Sequence, residues 1–162
     1  MEPNRDQHIK NAIQNQFMKD WDLLVITEGK SSKHGRWQGI AFLGKTGEGQ
    51  SLFAGSQSAR NRNFTITKAS AIREAVLMAY SLGFRKLIVL TSDNSMERLG
   101  ETHSKYKWQL TPILEDIKYL QLHHNLHLHI KAAPNLILQE VSSMATKAAI
   151  FFVNVMHVAS NV

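Results

Sequence analysis

The stretch from residue 71 to residue 95, AIREAVLMAYSLGFRKLIVLTSDNS, constrains the fold more than any other part of this chain. Apolar residues recur at helical spacing as far as residue 82, and Gly83 follows where a helix would end. The next run, LIVL, is wholly apolar, as expected for a strand covered on both faces. One carboxylate, that of Asp93, follows just beyond the C-terminal end of this strand. In parallel α/β units, ligands and catalytic groups collect at that edge of the sheet.

The rest of the chain predicts short strands before this unit and alternating elements after it. Strands are expected at residues 23–27, 37–43, 51–55, 86–90 and 125–130, with helices at 67–82, at 108–120 and from about 136 onward. Residues 29–36 contain turn-forming glycines and serines and are expected to form a loop. The order βββαβαβα predicts an α/β fold with a mixed five-stranded sheet and helices on both faces.

Length and composition predict a single folded unit. The 162 residues divide into a polar leader (1–20), a folded domain (21–150) and a C-terminal tail or helix end (151–162). The absence of cysteine excludes disulfides and thiolate metal sites. A polar N-terminus without a secretory signal, and no apolar run long enough to span a bilayer, predict an intracellular protein without a membrane role. The sequence does not distinguish a nuclear from a cytoplasmic protein, and it does not determine the oligomeric state.

Several short motifs are similar to one known family. They are VITEG at 25–29, FAG at 53–55, LGF at 82–84, VLTSD at 89–93 and ILEDI at 113–117. Together they resemble the plant-type ribonuclease H-like domain of retroelement-derived proteins, over about residues 23–147. The resemblance implies a ribonuclease H-like fold. The implied activity is hydrolysis of the RNA strand of an RNA/DNA hybrid.

The resemblance also implies a site in which four carboxylates, in the order Asp, Glu, Asp, Asp, hold two Mg²⁺ ions. The corresponding residues here are Glu28, Lys68, Asp93 and Gln139, and only Asp93 is unchanged. Glu28 keeps the charge but adds a methylene, Lys68 replaces an anion with a cation, and Gln139 is neutral. We therefore expect a degenerate site without a cofactor. Glu28 and Asp93 would be the metal ligands if Mg²⁺ binds at all.

Two further features of this site are hypotheses. The Lys68 ammonium, placed between Glu28 and Asp93, would stand in for the missing metal and neutralise both carboxylates. Glu140 would replace Gln139 only with a compensating change of helix register, because one residue turns a helical side chain by about 100°. A histidine cluster at residues 123, 124, 127 and 129 suggests a second metal site, but surface or lightly buried histidines are the preferred interpretation, because no cysteine or ordered set of acids accompanies the cluster.

Basic and polar residues in the first loop and just before the first helix are candidates for contacts with a sugar-phosphate backbone. The formal charge of +6 suits a polyanionic partner, because Lys and Arg that neutralise phosphates release counterions. By resemblance, the candidate nucleic-acid-binding residues are Lys30, Ser31, Lys33, Arg60, Arg62 and Asn63. The alternative is that both segments are solvated basic loops.

Three functions follow from these observations. The first is a catalytically degenerate domain, a pseudoenzyme, that binds RNA/DNA hybrid or duplex nucleic acid through its shape and backbone. The second is an active metal-dependent RNA–DNA hybrid ribonuclease. The third is a non-catalytic protein-interaction module. Salt dependence separates binding to nucleic acid from the third function, because phosphate contacts weaken steeply as salt rises.

Overall fold

The fold is taken from a computed structural model, which describes residues 20–32, 37–60, 63–98, 107–151 and 154–159, together with His8. Apart from His8 and Asp20, the predicted polar leader lies outside these residues. The strands are β1 (Leu23–Ser31), β2 (Gln38–Lys45), β3 (Ser51–Ala59), β4 (Lys86–Thr91), β5 (His127–Ala132) and β6 (Asn154–Val158). The helices are α1 (Phe64–Ser81), α2 (Lys107–His123) and α3 (Asn135–Phe151), with a short 3₁₀ helix at Asn94–Arg98.

The six strands form one mixed sheet in the order β5-β4-β1-β2-β3-β6. Strands β1, β2 and β3 make the predicted antiparallel meander, while β4 runs parallel to β1 and β5 parallel to β4. The mixed sheet with helices is therefore confirmed. The sixth strand was not expected: residues 154–158, assigned from sequence to a tail or helix end, pair antiparallel with β3. The sheet therefore has one strand more than predicted, added at its β3 edge.

Helices cover both faces of the sheet, as predicted. On one face, Leu23 and Val25 of β1 belong to a core that includes buried residues of α1 and α2. On the other face, Leu24 and Ile26 pack with the apolar side of α3, including Leu138. Alternate residues of one strand thus enter two cores, which is why the central strands are apolar without interruption. Among the described residues, no helix is both long and apolar enough to cross a membrane.

Two of the element boundaries that differ from the sequence prediction lie next to the candidate site. Residues 29–31 were expected in a loop but extend β1, because they pair with the first residues of β2, as Ser31 does with Gln38. Helix α1 begins at Phe64, three residues before the predicted start, because the Asn63 side chain accepts hydrogen bonds from the N–H groups of Thr65 and Ile66. Such an N-cap satisfies donors that a helix start otherwise leaves unpaired. Both differences lengthen the elements next to the candidate site.

The backbone of α3 lies directly against β2 at Gly39. A Cβ atom added to Gly39 would lie 1.9 Å from the carbonyl oxygen of Ala145 and 2.6 Å from the amide nitrogen of Ala149. Both are backbone atoms, so no change of rotamer would relieve the contact. Glycine at this position therefore sets the distance between α3 and the sheet.

Candidate functional site

The topology brings the predicted site segments to one edge of the sheet. Strands β1, β3, β4 and β5 all run in the same direction, so their C-terminal ends meet there. Lys30 and Ser31 end β1, Arg60 follows β3 and Asp93 follows β4. The first turns of α1, which carry Lys68, begin just after Arg60 at the same edge. Segments more than sixty residues apart in the chain, such as those of Glu28 and Asp93, thus become neighbours.

Glu28 is a buried carboxylate, with 2% of its surface exposed. Its Oε1 accepts hydrogen bonds from the backbone N–H of Gly29 at 3.0 Å and from the Ser92 hydroxyl at 2.9 Å. Its Oε2 accepts a hydrogen bond from the Ser142 hydroxyl of α3 at 3.3 Å. The Nζ atom of Lys30 lies 3.9 Å from the same oxygen. Three donors and one cation therefore compensate the buried charge, as burial of a carboxylate requires.

Asp93 has partners for both of its carboxylate oxygens. Oδ1 accepts a hydrogen bond from the backbone N–H of Ser95 at 2.9 Å, and Oδ2 accepts one from the Lys68 ammonium at 3.4 Å. The Lys68 Nζ also lies 4.8 Å from the ring centroid of Phe64, within the range of a cation–π contact. Lys68 is thus held between a carboxylate and an aromatic face at the start of α1.

The ionisation of Asp93 reflects these contacts. Burial raises the pKa of its carboxyl, but hydrogen bonds from the backbone and side chain of Ser95, together with the charge and hydrogen bond of Lys68, outweigh this effect. The net pKa of Asp93 therefore lies below its usual value. Donors and a neighbouring cation favour the charged form of a carboxyl group. Asp93 is an anion at neutral pH, engaged with a cation.

Lys68 does not bridge the two carboxylates as the sequence hypothesis has it. Its ion pair is with Asp93, and among the described residues the cation near Glu28 is Lys30. The reason is the alternation of β1: Gly29 faces the first turn of α1, with its position for a Cβ 3.4 Å from Lys68 Cγ, whereas Glu28 contacts Ser142 on the α3 side. The edge therefore holds two separate charge pairs.

The fourth family-equivalent residue, Gln139, lies on α3 with an exposed side chain. No hydrogen bond within the described part of the chain joins it to Glu28 or Asp93. The α3 side chain that reaches Glu28 is that of Ser142, almost one turn further on. Glu140 is directed elsewhere, with its Oε2 4.0 Å from the Nζ of Lys45 at the far end of β2.

The candidate nucleic-acid-binding residues have different environments. Lys30 and Ser31 lie on β1, and the Lys30 side chain is 41% exposed. The Arg60 guanidinium lies 5.8 Å from the ring centroid of Trp37. Asn63 caps α1, which gives it a structural role whatever else it contacts. Lys33 and Arg62 lie outside the described residues.

Four side chains of the site were not identified from the sequence. Trp37 and Phe64 provide aromatic partners for cations, and Ser92 and Ser142 provide hydroxyl donors. Ser92 was detectable in principle, because it stands next to Asp93 at a strand end. Ser142 lies within a helix, and its sequence neighbours contain no signal for its contact with a strand over a hundred residues earlier.

The donor set of this edge does not fit a pair of Mg²⁺ ions. Mg²⁺ requires near-octahedral oxygen ligands and is held through carboxylates. Here the carboxylate oxygens of Glu28 and Asp93 accept hydrogen bonds, and the Lys68 ammonium lies 3.4 Å from Oδ2 of Asp93. Across the described ranges, no group of three or more His, Cys, Asp or Glu side chains is arranged to hold a metal ion, and this includes the histidines near residue 125.

Comparison with solved structures shows which fold this is. Ribonuclease H1 of the halophilic archaeon Halobacterium salinarum superposes with a TM-score of 0.68 at 14% sequence identity, covering 80% of this chain and 97% of the other. LC11-RNase H1 in complex with RNA/DNA hybrid gives a TM-score of 0.68 at 12% identity, covering 80% and 97%. The foamy viral protease-reverse transcriptase in complex with dsDNA gives 0.64 at 14% identity, covering 84% and 98%.

The chain therefore has the ribonuclease H-like fold predicted from its sequence. At these identities the likeness concerns the fold, because function is determined by the side chains placed on it. No protein-family model and no curated protein sequence matches the chain.

Proposed function

We propose that this chain is a ribonuclease H-like domain that binds nucleic acid, as RNA/DNA hybrid or duplex, without efficient catalysis. The observation that carries the proposal is the Lys68 ammonium, 3.4 Å from Asp93 at the edge where the fold brings its strand ends together. A cation in this position disfavours a second cation and favours an anionic backbone. The solved neighbours that contain RNA/DNA hybrid or dsDNA support the same class of partner.

The surface around Lys68 has the chemistry that this proposal requires. Lys30 and Arg60 are cations at the same edge, and Trp37 and Phe64 provide aromatic faces beside cations. Phosphates are neutralised by such cations, and aromatic rings stack on exposed bases. Recognition of a duplex by shape and backbone needs neither a metal ion nor a general base. Binding is therefore compatible with loss of the carboxylate site.

Loss of catalysis is proposed from the same geometry. Two-metal hydrolysis places the ions on the attacking and leaving oxygens, and the protein must supply the carboxylates that hold them. Glu28 already compensates its charge through Ser92 and Ser142, and Asp93 through Lys68. Binding of Mg²⁺ would have to displace these partners. We propose that no resident metal cofactor is present.

Fluorescence anisotropy with a labelled RNA/DNA hybrid tests binding over a series of salt concentrations. We expect affinity to fall steeply with salt, and Lys30→Ala and Arg60→Ala each to lower the salt slope by about 1. Lys86→Ala is the matched control, because Lys86 is an exposed lysine at the opposite end of β4 from Asp93. Binding that is absent, or that weakens equally in all three variants, would contradict the proposal.

A cleavage assay with Mg²⁺ and Mn²⁺ tests the proposed loss of catalysis. We expect no metal-dependent cleavage of the hybrid by the wild type. Lys68→Glu adds a carboxylate beside Asp93 and should increase metal-induced amide shifts at this edge, whereas Lys68→Gln only removes the charge. Cleavage by the wild type that Asp93→Asn abolishes would instead establish an active nuclease.

A further inference from the structure

The outer edge of the sheet at β5 forms a cleft with α2, separate from the carboxylate edge. In the sheet built by the described residues, β5 is a terminal strand. A cavity of about 370 Å³ lies between this strand and one side of α2. A cavity of this size accommodates one or two side chains or a small ligand, not a folded domain.

The main chain of β5 presents hydrogen-bonding groups to this cleft. The N–H of His127 donates to Arg85 and that of Ala133 to Thr91, so odd-numbered residues of β5 face β4. The alternation of a strand then directs the N–H and C=O groups of Leu128 and Ile130 outward. An edge with such groups is a template for another strand.

One position of this edge already binds a carboxylate oxygen. The outward N–H of Ala132 donates to Oε1 of Glu97 at 2.7 Å. This side-chain oxygen takes the place that a carbonyl of a further strand would occupy. It closes the C-terminal end of the edge, and within the described ranges no hydrogen bond is found for the outward main-chain groups of Leu128 and Ile130. An incoming segment is thereby limited to the part of the edge that faces the cleft.

The side chains around the cleft favour a particular composition of that segment. Its apolar lining includes Leu114 and Ile117 of α2. Its rim includes Lys118 and Lys131, both exposed, against the single carboxylate of Glu97, which is already engaged. The ring of His129 stacks on Trp21, with ring centroids 6.0 Å apart. The surroundings are therefore apolar in the centre and positive at the margin.

We propose that this cleft binds an extended peptide segment by strand addition to β5, with apolar side chains entering the cleft and acidic side chains meeting Lys118 and Lys131. Main-chain hydrogen bonds would supply affinity, and alternate side chains would supply specificity. A second copy of this chain is disfavoured as the occupant, because its β5 (HLHIKA) offers no acidic side chain to meet Lys118 and Lys131. The site does not depend on Glu28, Asp93 or nucleic-acid binding.

The test is an NMR titration of the ¹⁵N-labelled full chain with a blocked peptide of alternating Glu and Val. We expect saturable shifts at the amides of Leu128 and Ile130. The same peptide N-methylated at alternate residues cannot donate to the edge and should not bind. A peptide of alternating Lys and Val tests the role of charge, because its lysines would face Lys118 and Lys131. The double variant Lys118→Glu with Lys131→Glu should weaken binding by about fivefold or more, since two favourable pairs become repulsive.

A matched variant separates charge from folding. Lys147→Glu changes an exposed lysine on α3 and should leave peptide binding unchanged, with the melting temperature of each variant checked first. Equal binding of the N-methylated peptide would overturn strand addition. So would shifts confined to other residues, or edge shifts that depend on protein concentration without peptide, which would identify a second copy as the occupant.

Titration with RNA/DNA hybrid distinguishes the two proposals. If hybrid shifts the amides of Leu128 and Ile130 and the peptide does not, the cleft belongs to the nucleic-acid surface and the peptide site is refuted. If hybrid binds at the carboxylate edge while the peptide fails, only the peptide site is refuted. Peptide binding without hybrid binding would refute only the proposed nucleic-acid function.

Discussion

Replacing Gly39 with alanine tests whether the packing of α3 positions the candidate site. The added Cβ would lie 1.9 Å from the Ala145 carbonyl oxygen, and the backbone of α3 would have to retreat by more than about 1 Å to relieve the overlap. The hydrogen bond from Ser142 to Glu28 is 3.3 Å long and would break in that retreat. The change thus reaches a buried carboxylate that the substituted residue does not touch.

The magnitude follows from the kind of atoms in contact. Overpacking against a core costs about 1–3 kcal/mol, and overlap with backbone atoms of both Ala145 and Ala149 places Gly39→Ala near the upper value. For a chain of this length, about 3 kcal/mol corresponds to a fall in melting temperature of about 6–12 °C. Gly29→Ala is the control. Its Cβ would lie 3.1 Å from the Thr67 methyl group, a side-chain contact that can adjust at a cost of about 1 kcal/mol.

Differential scanning calorimetry of the two variants and the wild type measures the effect. We expect Gly39→Ala to melt well below Gly29→Ala. Amide shifts of Gly29 and Ser92 should report loss of the Ser142 contact in the Gly39 variant. A melting temperature within about 2 °C of the wild type would refute the close approach of α3 to β2.

Three further substitutions test the elements around the site. Asn63→Ala should lower the free energy of unfolding by about 0.5–2 kcal/mol in urea, because two backbone N–H groups lose their cap; Asn63→Asp should retain most of it. Asp93→Asn should reduce stability at neutral pH, since the folded pKa of Asp93 is lowered. This difference in the free energy of unfolding should persist above the usual aspartate pKa of about 4 and vanish as pH falls through the lowered folded pKa. Lys68→Met should remove only part of it, because the hydrogen bonds from Ser95 lower the pKa more than Lys68 does. Ile72→Ala should cost about 2–5 kcal/mol because Ile72 is fully buried, whereas the partly exposed Leu77→Ala should cost far less.

The central elements were predictable because their patterns are local. The helix that ends before Gly83 and the apolar strand before Asp93 follow from periodicity and from a glycine that adopts φ of 96° in the structure. The order of the elements followed from the same kind of pattern, and the resemblance of the motifs added the ribonuclease H-like fold. The sixth strand was missed, because its short run of Val155, Met156 and Val158 becomes a strand only through pairing with β3.

The candidate site likewise has a part that was predicted from the sequence and a part that only the structure shows. Glu28, Lys68 and Asp93 were predicted as residues of the site from the resemblance of the motifs around them, and their charges are properties of the chain. Only the tertiary structure decided how they pair. Strand alternation places Glu28 on the side of Ser142, whereas the start of α1 directs Lys68 to Asp93. Such contacts depend on side-chain direction and on the approach of helices to the sheet, and no local pattern encodes either.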